Sequence, residues 1–305
     1  MPAYAPRSLH CCAPALLLAA GVALLLAACH DGPAVLDAEY QHGIAQWRAA
    51  RVAEMKHSPG RLAYVASGRL LPGSYSVGGE RADQADVRLP VDLAELGHLQ
   101  LGAETAHFAG RDGSGPVPLQ PSQFDVDPGT RLTIADGEFF VVRTGPLWGW
   151  RYTRDKAALQ HPFSGFEHYP LDARWRIKAR WKPYPGKERL VVLTSIGTPL
   201  EFSMPGEASF WVAGHEHRLR AVMLPEGDAM MFMFSDRTSG RGSYSSGRNL
   251  VVALPAAGQR WVELDFNRAE NPACALTAHL VCPLAPPESR LDIEVDAGEK
   301  TWQAG

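Results

Sequence analysis

Past its first 28 residues the chain has no apolar run long enough to cross a bilayer as a helix, which takes roughly 20 residues. It also lacks an excess of either charge: 30 Lys and Arg stand against 33 Asp and Glu, for a formal net charge of -3. With no basic stripe to follow a phosphate backbone, nucleic acid is not an expected partner. The familiar catalytic signatures are missing as well. There is no G-x-S-x-G elbow, no H-E-x-x-H helix and no Walker sequence. "LLPGSYSVGGE" has the glycines of a phosphate loop without its lysine-serine ending. No cofactor is therefore expected, no resident metal is expected, and no internal repeat is evident.

Cysteine is scarce, with five in all. Cys11 and Cys12 fall in a segment that reads as a secretory signal, residues 1–28: Arg7 supplies the positive charge, and "APALLLAAGVALLLAA" is the apolar stretch. That stretch ends at Leu26-Ala27-Ala28-Cys29, which has the form of a bacterial lipobox. In such a motif small residues fit the signal peptidase and the Cys29 thiol accepts a diacylglyceryl group. The alternative is a plain signal peptide with a chance cysteine. The first reading predicts a protein anchored to a lipid bilayer by its N-terminus and not spanning it. His30 and Asp31 follow Cys29, with no aspartate directly after it. The expected address is the periplasmic side of the outer membrane, with the inner membrane as the alternative.

Cys274 and Cys282 remain. In an oxidising periplasm such a pair is a disulfide candidate. A metal pair with His279 between is the rival, although the spacing is not the two-residue gap of zinc ribbons or redox loops; free thiols are the third reading.

What is present is a chain rich enough in apolar residues, 46%, to bury a core. Residues 29–60 read as a tether and a helix, in which Tyr40, Ile44, Trp47, Arg51 and Met55 recur every three or four positions behind an Asp37 N-cap. Residues 61–145 are short alternating runs broken by turns such as "GRDGSGP" and "DPGT", a small β-rich module. Residues 146–165 form an aromatic junction. Residues 166–305 hold further strands, the clearest being "RWRIKARWKPY", where Trp175, Ile177, Ala179 and Trp181 alternate with four basic residues. The expected fold is mainly β, as β-sandwich or partial-barrel modules with an N-terminal helix.

Three segments of the second half go together: "HPFSGFEHYPLDARWRIKARW", "MFMFSDRTSGRGSYSSGRNL" and "VELDFNRAENPACALTAHLVCPLAPPESRLDIEVDAGEK". In order and spacing over residues 161–300 they resemble domain-of-unknown-function family 1684, with weaker agreement back to the helix near Trp47. In that family the segments run roughly D-x-T-S-G-x-x-T-Y-x-x-G-R-x-L, D-F-N-x-A-x-N-P-x-C and C-P-x-P-P-x-E-N-x-L, then A-G-E-K. This chain departs from the pattern at Ser243, where threonine is usual, at Ser289, where asparagine is usual, and near Ala275–Leu276, where it lacks a tyrosine. The resemblance implies no activity, substrate or catalytic residue.

The residues of these segments suggest a polar pocket. Asp236, Tyr244, Arg248, Asp265, Asn267, Asn271 and Glu299 are its candidate members, and Arg241 joins Tyr244 and Arg248 as a possible anion ligand. The competing expectation is structural. Asp236 would pair with Arg248, and Asp265, Asn267 and Asn271 would hydrogen-bond an irregular loop closed by the disulfide. His215-Glu216-His217 reads as a hairpin turn rather than a metal site. Two functions survive: a protein of the cell envelope that binds a small polar or anionic ligand or serves as structure, and alternatively an enzyme acting on such a substrate through Tyr244, Arg248 and Asp265.

Overall fold

The computed structural model describes residues 36–56, 60–113, 115–122, 128–154, 156, 163–186 and 188–302. The expected signal segment, Cys29 and the expected tether ahead of Leu36 lie outside them. From Leu36 onward the chain is one compact unit.

The expected helix is α1, Ala38–Lys56. Asp37 caps it, its Oδ1 accepting from the Tyr40 backbone N–H at 2.6 Å, which satisfies one of the helix's free N-terminal donors. The helical spacing brings Ile44, Arg51 and Met55 to the buried side. Met55 packs with Leu62, Ala63, Phe163, Phe166 and Leu276. A buried arginine in this row is the exception, and it proves central to the site.

The first group of strands is β1 (Tyr64–Leu70), β2 (Gly73–Gly78), β3 (Val87–Arg88), β4 (Glu95–Leu101), β5 (Ala106–Gly110) and β6 (Val117–Pro118), then β7 (Leu132–Ile134), β8 (Gly137–Thr144) and β9 (Leu147–Arg154). They form two sheets, ordered β1-β9-β8-β7 and β3-β2-β4-β5-β6. Both sheets contribute to one core, in which Val77, Leu99 and Phe108 meet Phe139, Trp150 and Tyr152. Trp148, Trp150 and Tyr152 of the aromatic junction are thus strand residues of β9, buried in this core.

The second group is β10 (Arg176–Pro183), β11 (Arg189–Leu193), β12 (Pro199–Ser203), β13 (Gly206–Val212), β14 (His215–Met223), β15 (Ala229–Phe234), β16 (Arg248–Ala253) and β17 (Trp261–Asp265). Six of them make an antiparallel sheet, β16-β15-β14-β13-β10-β17. Asn249 of β16 and Glu270, just beyond β17, exchange backbone hydrogen bonds at 2.8 Å in both directions. These bonds bring the ends of the sheet together into a nearly closed barrel. Its core includes Trp175, Ala179, Trp181, Phe210, Phe232, Phe234 and Phe266. The period-two pattern of β10 appears here as buried Ala179 and Trp181 flanked by exposed Arg176, Lys178, Arg180 and Lys182. The protein is therefore mainly β with one α-helix among the described residues.

Among the described residues no helix is long and apolar enough to cross a membrane. Ala213 and Gly214 take left-handed φ values of 51° and 81° in the two-residue turn between β13 and β14. His215 to His217 are the first residues of β14 after that turn.

Candidate functional site

Asp236 follows β15 and Arg248 opens β16, so the loop between them folds back on itself. Arg248 Nη2 lies 2.9 Å from Asp236 Oδ2, and neither side chain is exposed. The guanidinium also donates to the carbonyls of Val295 at 2.8 Å and of Ala297. Asp236 Oδ1 accepts from the Thr238 and Val295 backbone N–H groups at 2.7 and 3.2 Å. Ser243, at the usual threonine position, shares a hydrogen bond with Thr238 Oγ1 at 2.8 Å. This pair ties the loop to the closing segment 295–299 and leaves little for a ligand to take.

Asp265 ends β17 and caps a single 3-10 turn, Phe266–Arg268, by accepting from the Asn267 backbone at 3.2 Å. Both of its oxygens also receive the Tyr40 hydroxyl of α1, at 3.0 Å each. Burial, then Asp265, holds the Tyr40 phenol well above the usual tyrosine range. Asn267, fully buried, bridges to the Asp172 backbone in both directions, at 3.0 and 2.9 Å. Asn271 donates from its side chain to the Lys300 carbonyl at 2.8 Å and from its backbone to Glu299 at 2.6 Å. These three residues fasten helix and termini to the barrel.

Glu299 is fully buried. Gly298, at φ 77°, places it: a Cβ there would lie 2.5 Å from the Ala269 carbonyl, so only glycine fits without a shift. Arg51 of α1 reaches Glu299 with Nε at 2.5 Å, Glu270 with Nη1 at 3.1 Å and the Asn271 carbonyl with Nη2 at 2.7 Å. Burial nevertheless outweighs Arg51 and pushes the Glu299 carboxyl up to about 7, while it also raises Glu270. A smaller cavity of about 250 Å³, open to solvent and inner only in lying between α1 and the segment around His168, adjoins this centre, lined by Arg48, Arg51, His168 and Glu299 together with Ser164 and Gly165. Trp47 packs edge-on against His168, ring centroids 6.5 Å apart.

Ser164 and Gly165 also border a wider, open cavity of about 780 Å³. Arg241, Tyr244, Ser245, Lys300, Thr301 and Trp302 line its other sides. Arg241 is exposed and has no side-chain hydrogen bond or ion pair among the described residues. Lys300 pairs loosely with Glu167, at 3.6 Å. The Tyr244 hydroxyl donates to the Cys274 carbonyl at 3.3 Å, at the edge of the loop closed by the Cys274–Cys282 disulfide. Among the described residues no group of three or more His, Cys, Asp or Glu is placed to hold a metal ion.

The candidate residues thus divide. Tyr244 borders the open cavity and Glu299 the inner one. Asp236 and Arg248 form a closed pair, and Asp265, Asn267 and Asn271 are spent on fastening. Sequence reasoning passed over Arg48, His168, Lys300 and Trp302. One available signal was Arg51, a charged residue within the apolar row of the helix.

No curated protein matches the chain. A solution NMR structure of an uncharacterized protein from Haloarcula marismortui is similar at 27% identity over 46% of this chain and 77% of that chain, with a TM-score of 0.39. The model of the family described as protein of unknown function (DUF1684) matches residues 161–300, a span that includes the barrel strands and the wall that Ser164 and Gly165 give to both cavities.

Proposed function

We propose that the protein is a lipoprotein of the bacterial cell envelope, anchored on the periplasmic side through Cys29, that binds a small anionic ligand in the open cavity beside Tyr244. The observation that carries the ligand reading is the lining: Arg241 and Lys300 supply two positive charges against the one carboxylate of Glu167, Ser245 and Thr301 supply hydroxyls, and Trp302 offers an aromatic face. Arginine's planar fork matches a carboxylate or phosphate group, and Arg241 holds no competing carboxylate among the described residues. The lipobox carries the anchoring half of the reading. An enzymatic role for Tyr244, Arg248 and Asp265 together gains no support, because Arg248 is locked to Asp236 and Asp265 to Tyr40.

The test has two parts. Mass spectrometry of the protein made with its own signal should find Cys29 as a diacylglyceryl-modified N-terminus; an unmodified Cys29 would sink the anchor. Small carboxylates and organophosphates should be titrated against tryptophan fluorescence, with Trp302→Phe as the control for the reporter. Binding should weaken at least about tenfold in Arg241→Ala, as expected for loss of a charge-assisted hydrogen bond. Binding indifferent to both Arg241→Ala and Lys300→Ala would move the ligand elsewhere.

A further inference from the structure

The barrel sheet has an outward face on which aromatic rings and cations stand together. Along β10 the side chains of Arg176, Lys178, Arg180 and Lys182 are exposed, on the side away from the core. β13 and β17 flank this strand, and each presents a tryptophan to solvent: Trp211 is 69% and Trp261 47% exposed. Arg180 pairs with Ser209 on one side and with Trp261 on the other. Trp211 lies two residues beyond Ser209, hence on the same face. At the usual strand spacing β13 and β17 are about 10 Å apart, so the two indoles and the row of cations form one patch.

Ion pairing divides these cations. Arg176 meets Glu263 at 3.2 Å, and Lys182 meets Glu207 at 3.6 Å. Lys178 and Arg180, between them, have no carboxylate partner among the described residues. Lys178 instead holds its ammonium 5.3 Å from the centre of the Trp261 ring. In a chain of formal net charge -3, two uncommitted cations beside two exposed indoles are a local departure. Tryptophan favours the headgroup level of a bilayer, where its ring is apolar and its N–H is wet. Lysine and arginine beside it are drawn to anionic headgroups.

The chain also delivers this patch to a bilayer. α1 begins beside it, with the Tyr40 ring centroid 4.2 Å from the guanidinium of Arg176, the first residue of β10. Seven residues, Cys29 to Val35, precede Leu36, where the described chain begins. Fully extended, they reach at most about 25 Å. A bilayer that holds Cys29 is therefore within that reach of the start of the helix, at whose side the patch lies.

We infer that the outer face of β10, β13 and β17 docks, through Trp211, Trp261, Lys178 and Arg180, on the anionic lipid surface that holds Cys29. The lipid chains keep the protein at the membrane, and this face sets its orientation there. The inference rests on the lipid anchor proposed above and is independent of the ligand in the open cavity.

The test uses protein made with its own signal and reconstituted in vesicles of phosphatidylcholine and phosphatidylglycerol with brominated acyl chains, which quench tryptophan on contact. Wild-type fluorescence should be quenched. Removing two of the eight tryptophans in Trp211→Phe/Trp261→Phe should cut that quenching at least about threefold. Lys178→Gln/Arg180→Gln should lower the ratio of docked to undocked protein at least about tenfold. Wild-type protein in phosphatidylcholine alone should show a similar loss, and that comparison needs no variant to fold. With Cys29 lipidated, three results would overturn the docking and leave the anchor standing: no quenching of the wild type, quenching that survives in Trp211→Phe/Trp261→Phe, or equal quenching without phosphatidylglycerol. A mass spectrum with an unmodified Cys29 would overturn the anchor, and the docking with it.

Discussion

Two buried arginine–carboxylate centres stand close together in the chain's closing segment, and they are built differently. Arg248 meets one carboxylate, Asp236, and donates from Nη1 and Nη2 to the backbone carbonyls of Ala297 and Val295. Asp236 in turn accepts from two backbone amides. Arg51 instead meets two carboxylates, Glu299 and Glu270, and its centre borders a cavity. The first is a closed polar knot in which Arg248 Nε alone of the guanidinium nitrogens lacks a partner among the described residues. The second carries an extra acid, a raised carboxyl and a second arginine, Arg48, beside the cavity. Buried charge by itself therefore says little about function; the partners left over decide it.

The sharpest way to break the comparison is to remove one carboxylate from each centre. Asp236→Ala leaves Arg248 charged, buried and without a counter-ion, so it should destabilise the fold by about 3–5 kcal/mol. Glu299→Ala should cost clearly less, because Arg51 keeps Glu270 at 3.1 Å. Urea unfolding of the two variants measures both. Equal losses would mean that the Arg51 centre is as architectural as the Asp236–Arg248 knot.

A second contrast lies in pH. Glu299 has a folded value of about 7 against an ordinary 4.5. The unfolded chain gives up that proton first, so the stability contributed by Glu299 is complete below 4.5 and is lost as pH rises through 7. His168 behaves oppositely. Its folded value is about 4 against 6.5, so the stability linked to its neutral form is present above 6.5 and is lost as pH falls through 4. Between about pH 4.5 and 6.5 the two slopes oppose each other, each bounded at about 1.4 kcal/mol per pH unit for one proton. The His168 slope is the shallower, since that side chain is only partly buried. Relative to wild type, unfolding free energy should rise more steeply with pH in Glu299→Gln and less steeply, or fall, in His168→Gln. Three parallel pH profiles would show that the two groups titrate as they do in the unfolded chain.

Local features were legible in the sequence, and long-range partnerships were not. The helix over residues 38–56, its Asp37 cap and the buried face of β10 all follow from spacing and residue type within a few positions. Asp236 and Arg248, twelve residues apart, were also close enough to suggest a pair. The Cys274–Cys282 disulfide was one of three readings that the two remaining cysteines left open. By contrast, Arg51 and Glu299 are 248 residues apart, and Tyr40 and Asp265 are 225 apart. Nothing local in either segment names the other. The seven candidate residues were recognised as unusual, yet their division between cavity and fastening depends on how α1 lies across the 3-10 turns after β17. The open cavity needed the same information, because its wall combines residues 164–167, 240–245 and 300–302.

The smallest expected effect isolates that packing of the helix from the charge centres. Tyr40 joins α1 to Asp265 through a hydroxyl that approaches both carboxylate oxygens at 3.0 Å. Tyr40→Phe keeps the ring, and with it the Arg176 guanidinium 4.2 Å from its centroid. Asp265 would retain the Asn267 backbone and side-chain donors, at 3.2 and 3.1 Å. The loss should therefore be about 1–2 kcal/mol, the worth of one hydrogen bond to a charged group, and it should appear in urea unfolding. A Tyr40→Phe protein that unfolds as wild type would mean the Tyr40 hydroxyl adds nothing to how the helix is held, leaving Arg51 as its one strong polar attachment.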